Sequence, residues 1–439
     1  MKVRRVIRGN RDRVARARGF TLIELLVAVV AGLLVAAAAI SFSRQSTRFF
    51  AQEARIASAQ MSVLAGFQRL QADLSRAAYM STADMMRDYN AQRLCAPEFA
   101  SWPAAMQGLT SVRITSTAGS PDVIRVAGNL ASSEMFPVLT IESDGAGHAV
   151  YLQTNNGPMT RAGFMPGSDD ADAAFQNVFR PGRLIRILDD QGKYEFEIIK
   201  SSSYVTAPVI TTYGPLPLRS EISMAVDGNN VAATAASCGL SDGLGTLLNP
   251  VSVVEYRVFD LKNADVSPYK ETVFHEDYRV VGADENRTEL VRNEVLFLEE
   301  DDGAGGTQLS AFTVPEIVAE FAVDLRVGVW TTSNLIAGGV TRGGVTYYPP
   351  GSAAATTTLP VGEGDALTPV TGPTAIRSLD LRLVVRSREA DRAEEIDSTT
   401  NPLASDGFMF RAPMPNNRWA RARTLTANVT LMNHRGDAW

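Results

Sequence analysis

A single carboxylate, Glu24, interrupts a run over residues 22–40 that is otherwise free of charge, and the run follows directly on an arginine-rich stretch. About 20 apolar residues suffice to span the hydrocarbon core of a bilayer. An ionised carboxylate placed there costs roughly 2.5–3.5 kcal/mol on insertion scales, so Glu24 is expected to have a partner and a task. A cation brought in from elsewhere would offset much of that cost. A secretory signal peptide has an apolar core of only about 7–15 residues, with a small-residue cleavage site at its far end. Here the run is longer, and Ala36 to Ala39 lead into Ile40, Ser41 and Phe42 without a turn signal. An ordinary membrane anchor matches the length but leaves Gly19-Phe20-Thr21 followed by Glu24 unexplained.

Small, aromatic, polar, two apolar residues and an acid at a basic-to-apolar junction, here Gly19-Phe20-Thr21-Leu22-Ile23-Glu24, resembles the start of a type IV prepilin. The resemblance implies that a membrane-embedded prepilin peptidase cuts between Gly19 and Phe20 and methylates the new amino terminus of Phe20. It also implies that Glu24, then fifth in the mature chain, pairs with the terminal amine of a neighbouring subunit as the chain leaves the membrane for a filament. On that reading Glu24 serves subunit docking, and no residue is assigned a catalytic role.

The formal net charge of −6 conceals an asymmetry. Residues 1–19 hold eight basic side chains against Asp12 alone, and without them 34 basic face 47 acidic residues, a net charge of −13. The basic leader stays cytoplasmic by the positive-inside rule, which places everything after about Ser43 outside the inner membrane. Such a leader could also be a nucleic-acid arm. Its arginines abut a membrane segment, however, and the acidic remainder would repel phosphate backbones, so no nucleic-acid partner is expected.

Cys95 and Cys238 are the only cysteines. Outside the cytoplasm they can form one disulfide, which for so long a loop would contribute about 4–5 kcal/mol in the chain-entropy model. Two free thiols are the alternative. There is no CxxC spacing, and His148, His275 and His434 are scattered, so the cysteines do not read as a zinc site and no metal or other cofactor is expected.

The helical pattern continues beyond the apolar run: Ile56, Ala59, Val63, Phe67, Leu70, Leu74 and Ala77 recur at three- and four-residue steps, and no proline occurs before Pro97. This predicts one helix from Phe20 to about Tyr79, half in lipid and half packed by a single stripe, with Gly32 and Gly66 as weak points costing up to about 1 kcal/mol each. From about Ser111 the period changes to that of strands. Short β-rich runs are predicted at 122–126, 149–153, 184–188, 194–199 and 209–213, with Asp189-Asp190-Gln191-Gly192 as a hairpin turn. A second group is predicted at 251–259, 289–297, 317–330, 379–387 and 424–431. The expected architecture is α+β and pilin-like, a long N-terminal helix on antiparallel sheet. Its parts are a leader (1–19), a transmembrane and filament-core helix (20–42), an amphipathic periplasmic helix (43–80) and a β-rich globular region (81–439), with room for two lobes split near 235–250. Residues 235–246 and 334–374 read as loops, the second long enough to be functional.

The chain is much larger than a major pilin usually is, which points to a minor subunit. Leu70-Gln71-Ala72-Asp73-Leu74-Ser75-Arg76-Ala77 resembles a stretch of PilW-type minor pilins and of J-class pseudopilins of type II secretion. So do Val253-Val254-Glu255-Tyr256-Arg257-Val258, Glu289-Leu290-Val291-Arg292-Asn293-Glu294 and the run from Val318 to Val327, in that order. The close, Leu383-Val384-Val385-Arg386-Ser387 and then Leu425 to Asn433, resembles the PilW end, with Met432 where the family commonly has arginine. The resemblance implies a minor pilin at or near a pilus tip that primes assembly with other minor pilins, the major pilin and an inner-membrane assembly platform. It implies an inner-membrane precursor with a periplasmic C-terminal region, and a cell-surface pilus afterwards. The alternatives are a type II secretion pseudopilin and a tip adhesin whose ligand site lies in 334–374.

Gly239-Leu240-Ser241-Asp242-Gly243 matches the G-x-S-x-G nucleophile elbow but lacks the strand before and helix after that expose the serine. An enzyme is therefore not expected. Asp169-Asp170-Ala171-Asp172 and Glu299-Glu300-Asp301-Asp302-Gly303 lack EF-hand spacing and read as solvated turns.

Overall fold

A computed structural model describes residues 21–83, 109–117, 119–144, 147–154, 156–164, 170–218, 239–241, 245–260, 288–301, 307–312, 315–337, 340–349, 376–387, 411–414 and 418–434. The leader, Gly19, Phe20, Cys95 and Cys238 lie outside them. The chain divides into two units, Met1–Gln60 and Met61–Trp439.

Helix α1, Leu22–Ser75, supplies the described part of the first unit and enters the second. It starts two residues after the predicted Phe20 and stops short of Tyr79. The stop has a local cause: Arg76 and Ala77 donate back to the carbonyls of Asp73 and Leu74 in tight three-residue turns, and Ala78 turns to φ +60°. Its N–H bonds the carbonyl of Ala127 instead of continuing the helix.

In the second unit the predicted stripe is the buried one. Val63, Phe67, Leu70, Leu74 and Ala77 lie in one core, and burying each of the larger side chains is worth about 1.5–3 kcal/mol. Gly66 belongs to this face for a steric reason: a Cβ there would lie 1.9 Å from the carbonyl oxygen of Val318.

Sixteen strands follow the helix among the described residues. β1 (Val112–Thr115) pairs with β2 (Val123–Gly128), and β2 with β8 (Leu247–Phe259). β8 also pairs with β9 (Glu289–Asp301), which carries β10 (Thr307–Phe312) and β11 (Glu316–Ala319). Between β2 and β8 in sequence come β3 (Phe136–Asp144), β4 (Gly147–Leu152), β5 (Leu184–Leu188), β6 (Tyr194–Ser203) and β7 (Val209–Thr212). Their pairings run β8-β3-β4-β7-β6-β5 and return to β8, so six antiparallel strands close on themselves. Short helices α2 (Gly157–Arg161) and α3 (Ala171–Val178) add Met159 and Phe175 to the core of this ring, beside Phe136, Phe164 and Phe179. A second sheet has the order β13-β12-β14-β16-β15, from β12 (Ala322–Ala337), β13 (Val340–Tyr348), β14 (Ile376–Arg386), β15 (Arg411–Met414) and β16 (Arg418–Thr430). Leu325, Val327, Leu379, Leu381, Leu383 and Val429 share the core of the helix stripe. The class is α+β, a long helix followed by antiparallel sheet.

Three expectations change. The predicted strand over 317–330 is two strands, β11 and β12, divided at Glu320 and Phe321. Phe321 takes φ +55°, its N–H donates to Glu289 and its carbonyl accepts from the backbone of Arg386. The predicted loop 334–374 is in part a hairpin, because β12 runs to Ala337 and pairs with β13 through Ala337 and Val340. The sequence between those two residues is Gly-Gly, a composition two-residue hairpin connections favour. Glu299, Glu300 and Asp301, read as a solvated turn, are strand residues paired with β10, while Asp302 and Gly303 lie outside the described residues.

Candidate functional site

The start of α1 is built by its own sequence. The Thr21 N–H and hydroxyl both donate to Oε2 of Glu24, at 3.1 and 3.0 Å, and the Glu24 N–H donates to the Thr21 hydroxyl at 3.3 Å. This is a capping box, in which the first residue and the acid three positions on satisfy each other's otherwise unpaired backbone donors. It gives Glu24 a local anchor in addition to any partner from another subunit. Behind it, residues Leu22–Thr47 form a helical stretch whose most apolar 18 residues have a mean hydropathy of 2.7 and are not buried. Leu22, Leu26, Val29, Leu33 and Val35 all present exposed side chains. That combination fits a helix whose solvent is lipid.

Residues 14–40 match the family model described as the prokaryotic N-terminal methylation motif. The chain has a prepilin-type N-terminus. The match spans the junction of basic leader and apolar helix and contains Gly19, Phe20 and Glu24. It supports a type IV pilin- or pseudopilin-type prepilin, a substrate for N-terminal processing that is anchored in the membrane. No curated protein and no solved structure matches the chain.

A second constellation holds the far end of α1 to the sheets. Asp73, buried on the helix, accepts from the Tyr256 hydroxyl of β8 at 2.7 Å and from Nε of Arg292 of β9 at 2.7 Å. Glu316 of β11 lies 3.6 Å from the same guanidinium. Burial, and then the negative charge of Asp73, push the Tyr256 hydroxyl well above its ordinary range, so it serves as a donor. Burial opposes the charge on Arg292, but the carboxylates of Asp73 and, less so, Glu316 outweigh it and hold the guanidinium above its usual value. A buried pair of this kind contributes less through net attraction than through the penalty for losing one partner, so it fixes the register of helix on sheet. One turn on, Arg76 donates to the carbonyls of Asn129, Leu130 and Ser132, and Asn433 donates to the carbonyl of Ala77. An open cleft of about 500 Å³ beside this end is lined in part by Arg76, Tyr79, Glu134 and Arg161. Its arginines are already engaged, since Arg161 grips Glu134 through two bonds of 2.8 and 2.7 Å.

Another buried bridge joins the ring to β9. Arg183 makes two bonds to Glu294, at 2.6 and 2.8 Å. Burial would raise the Glu294 carboxyl, but Arg183 and Arg180 prevail and hold it below the ordinary carboxylate range.

Other sequence candidates are dispersed. Ser241 follows Gly239, at φ +89°, and the isolated bridge residue Leu240, and its carbonyl accepts from Thr246; Asp242 and Gly243 lie outside the described residues. Ala171 and Asp172, read as part of a solvated turn, instead begin α3 with Ala171 buried, and Asp172 accepts from the N–H of Tyr204 at 2.6 Å and from Gln176, which gives it a structural task; Asp169 lies outside the described residues. His148 is buried, and its Nδ1 accepts from the N–H of Leu216. Among the described residues no group of three or more His, Cys, Asp or Glu side chains converges on a point suited to a metal.

Proposed function

We propose that this chain is a PilW-type minor pilin, cut between Gly19 and Phe20, methylated on Phe20 and incorporated at or near a pilus tip to prime assembly. The observation that carries the reading is the methylation motif over 14–40, coincident with an exposed apolar stretch of helix, Leu22–Thr47, whose one acid is Glu24. The minor role rests on chain size and on the ordered sequence stretches, of which one on the helix supplies Asp73 and two on strands supply Tyr256 and Arg292 to one buried contact. In this scheme residues 1–19 are the leader, 20–42 the membrane and filament-core helix, 43–80 the amphipathic helix and 81–439 the globular region. Other minor pilins, the major pilin and the inner-membrane platform are the partners. In the mature chain the capping box keeps Glu24 oriented, and a neighbour's terminal amine neutralises it in the low-dielectric filament core.

Replacing Glu24 by alanine tests this directly. The variant is expected to be processed normally and to remain in the membrane fraction, absent from sheared filaments. Normal incorporation would refute the docking role.

A further inference from the structure

Immediately beyond the apolar span, three phenylalanines stand open on the helix: Phe42, Phe49 and Phe50 are 76%, 58% and 68% exposed. The Phe49 and Phe50 rings meet edge to face with centroids 6.2 Å apart. Phe42 and Phe49 are seven residues apart and so share a helix face, Phe50 adjoins it, and Arg44 leaves from the opposite side. Polar Ser43, Gln45, Ser46 and Thr47 lie between the aromatic positions, so the segment is two-faced where the span before it is apolar all round.

Distance along the axis says what covers that face. At a rise of about 1.5 Å per residue, Phe42 lies about 30 Å beyond Leu22, the thickness of the hydrocarbon core. Phe49 lies about 40 Å beyond Leu22, and an ordinary helix tilt of about 20° toward the aromatic side brings its ring down to headgroup level. Arg44 falls between these depths, and a guanidinium is suited to bidentate bonding of phosphate.

We propose that residues 42–50 form an interfacial collar, with Phe42, Phe49 and Phe50 seated at the boundary of headgroup and acyl chain on the outer side of the bilayer and Arg44 on the phosphate of an anionic phospholipid. The collar rests on the membrane reading above and adds to it a tilt of fixed direction. Before assembly it holds the precursor leaning to one side, and these rings must leave the lipid as the subunit enters a filament.

Photo-crosslinking tests it on the full-length chain in phosphatidylglycerol–phosphatidylethanolamine vesicles, with a benzophenone-bearing phenylalanine placed singly at positions 30, 49 and 64. Lipid adducts are expected at 30, inside the span, and at 49, with loss of the signal at 64. Arg44→Gln is expected to lower the adduct yield at 49 and leave that at 30 unchanged. Adducts at 30 with none at 49, or adducts at 49 to a second copy of the chain in place of lipid, would overturn the collar and leave the membrane reading standing. Absence of lipid adducts at 30 would overturn both.

Discussion

Gly66→Ala sets two physical effects against each other, and the structure decides between them. Helix propensity alone favours alanine by up to about 1 kcal/mol at a helix-interior position. Packing opposes it: the new Cβ would lie 1.9 Å from the carbonyl oxygen of Val318 and 2.7 Å from its carbonyl carbon. Neither atom can rotate away, because both belong to the backbone of β11. Relief therefore requires the helix to back off from a core that also holds Phe67, Leu70 and Leu74. Overpacking of this kind costs about 1–3 kcal/mol, so after the propensity gain the variant should lose up to about 2 kcal/mol. Urea unfolding of the detergent-solubilised chain, followed by near-ultraviolet circular dichroism, reads this as a lowered midpoint at unchanged slope. Gly32→Ala is the counterpart, since nothing lies within 4 Å of a Cβ there, and it should bring no loss. A raised midpoint for Gly66→Ala would refute the close approach of helix and strand.

Removing Asp73 with alanine should cost about 3–5 kcal/mol, because Arg292 and Tyr256 would be left buried without their shared acceptor; Tyr256→Phe should cost less, about 1.5–3 kcal/mol. The same urea assay ranks the two, and equal effects would argue against Asp73 as the hub. Glu294→Gln should lower stability at neutral pH by several kcal/mol, roughly the cost of breaking a buried pair. The folded-state pKa of Glu294 is depressed, so its contribution is complete above the ordinary glutamate value of about 4.3 and is lost as pH falls through the lower folded value. The gap between wild type and variant should accordingly hold at pH 7 and narrow only below about pH 4. A constant gap across that range would contradict the assignment.

Local pattern made much of this fold legible. The stripe from Val63 to Ala77 has the helical period, and it is the buried face. Asp189-Asp190-Gln191-Gly192 closes the β5–β6 hairpin as read, with Gly192 at φ +79° and the Asp189 carboxylate accepting from the N–H groups of Gln191 and Lys193. The contact of Asp73 with Tyr256 and Arg292 was not legible, because its partners stand 183 and 219 residues away and each lies in a run that any half-buried strand would show. The capping box is written in the sequence as Thr21-x-x-Glu24, a helix-starting signal carried by the same acid that is costly in a membrane. The β12–β13 hairpin was obscured by its Gly- and Thr-rich composition, although Gly338-Gly339 carried the turn signal. The closed ring of β3 to β8 depends on pairing between strands far apart in sequence, which periodicity does not encode.

Mass spectrometry of the amino-terminal peptide, taken from sheared surface filaments and from the membrane fraction in parallel, tests the central claim most directly. A chain that begins at N-methylated Phe20 and is recovered from filaments is the result the account predicts. A chain that retains residues 1–19, or one cleaved elsewhere and never found in filaments, would contradict it.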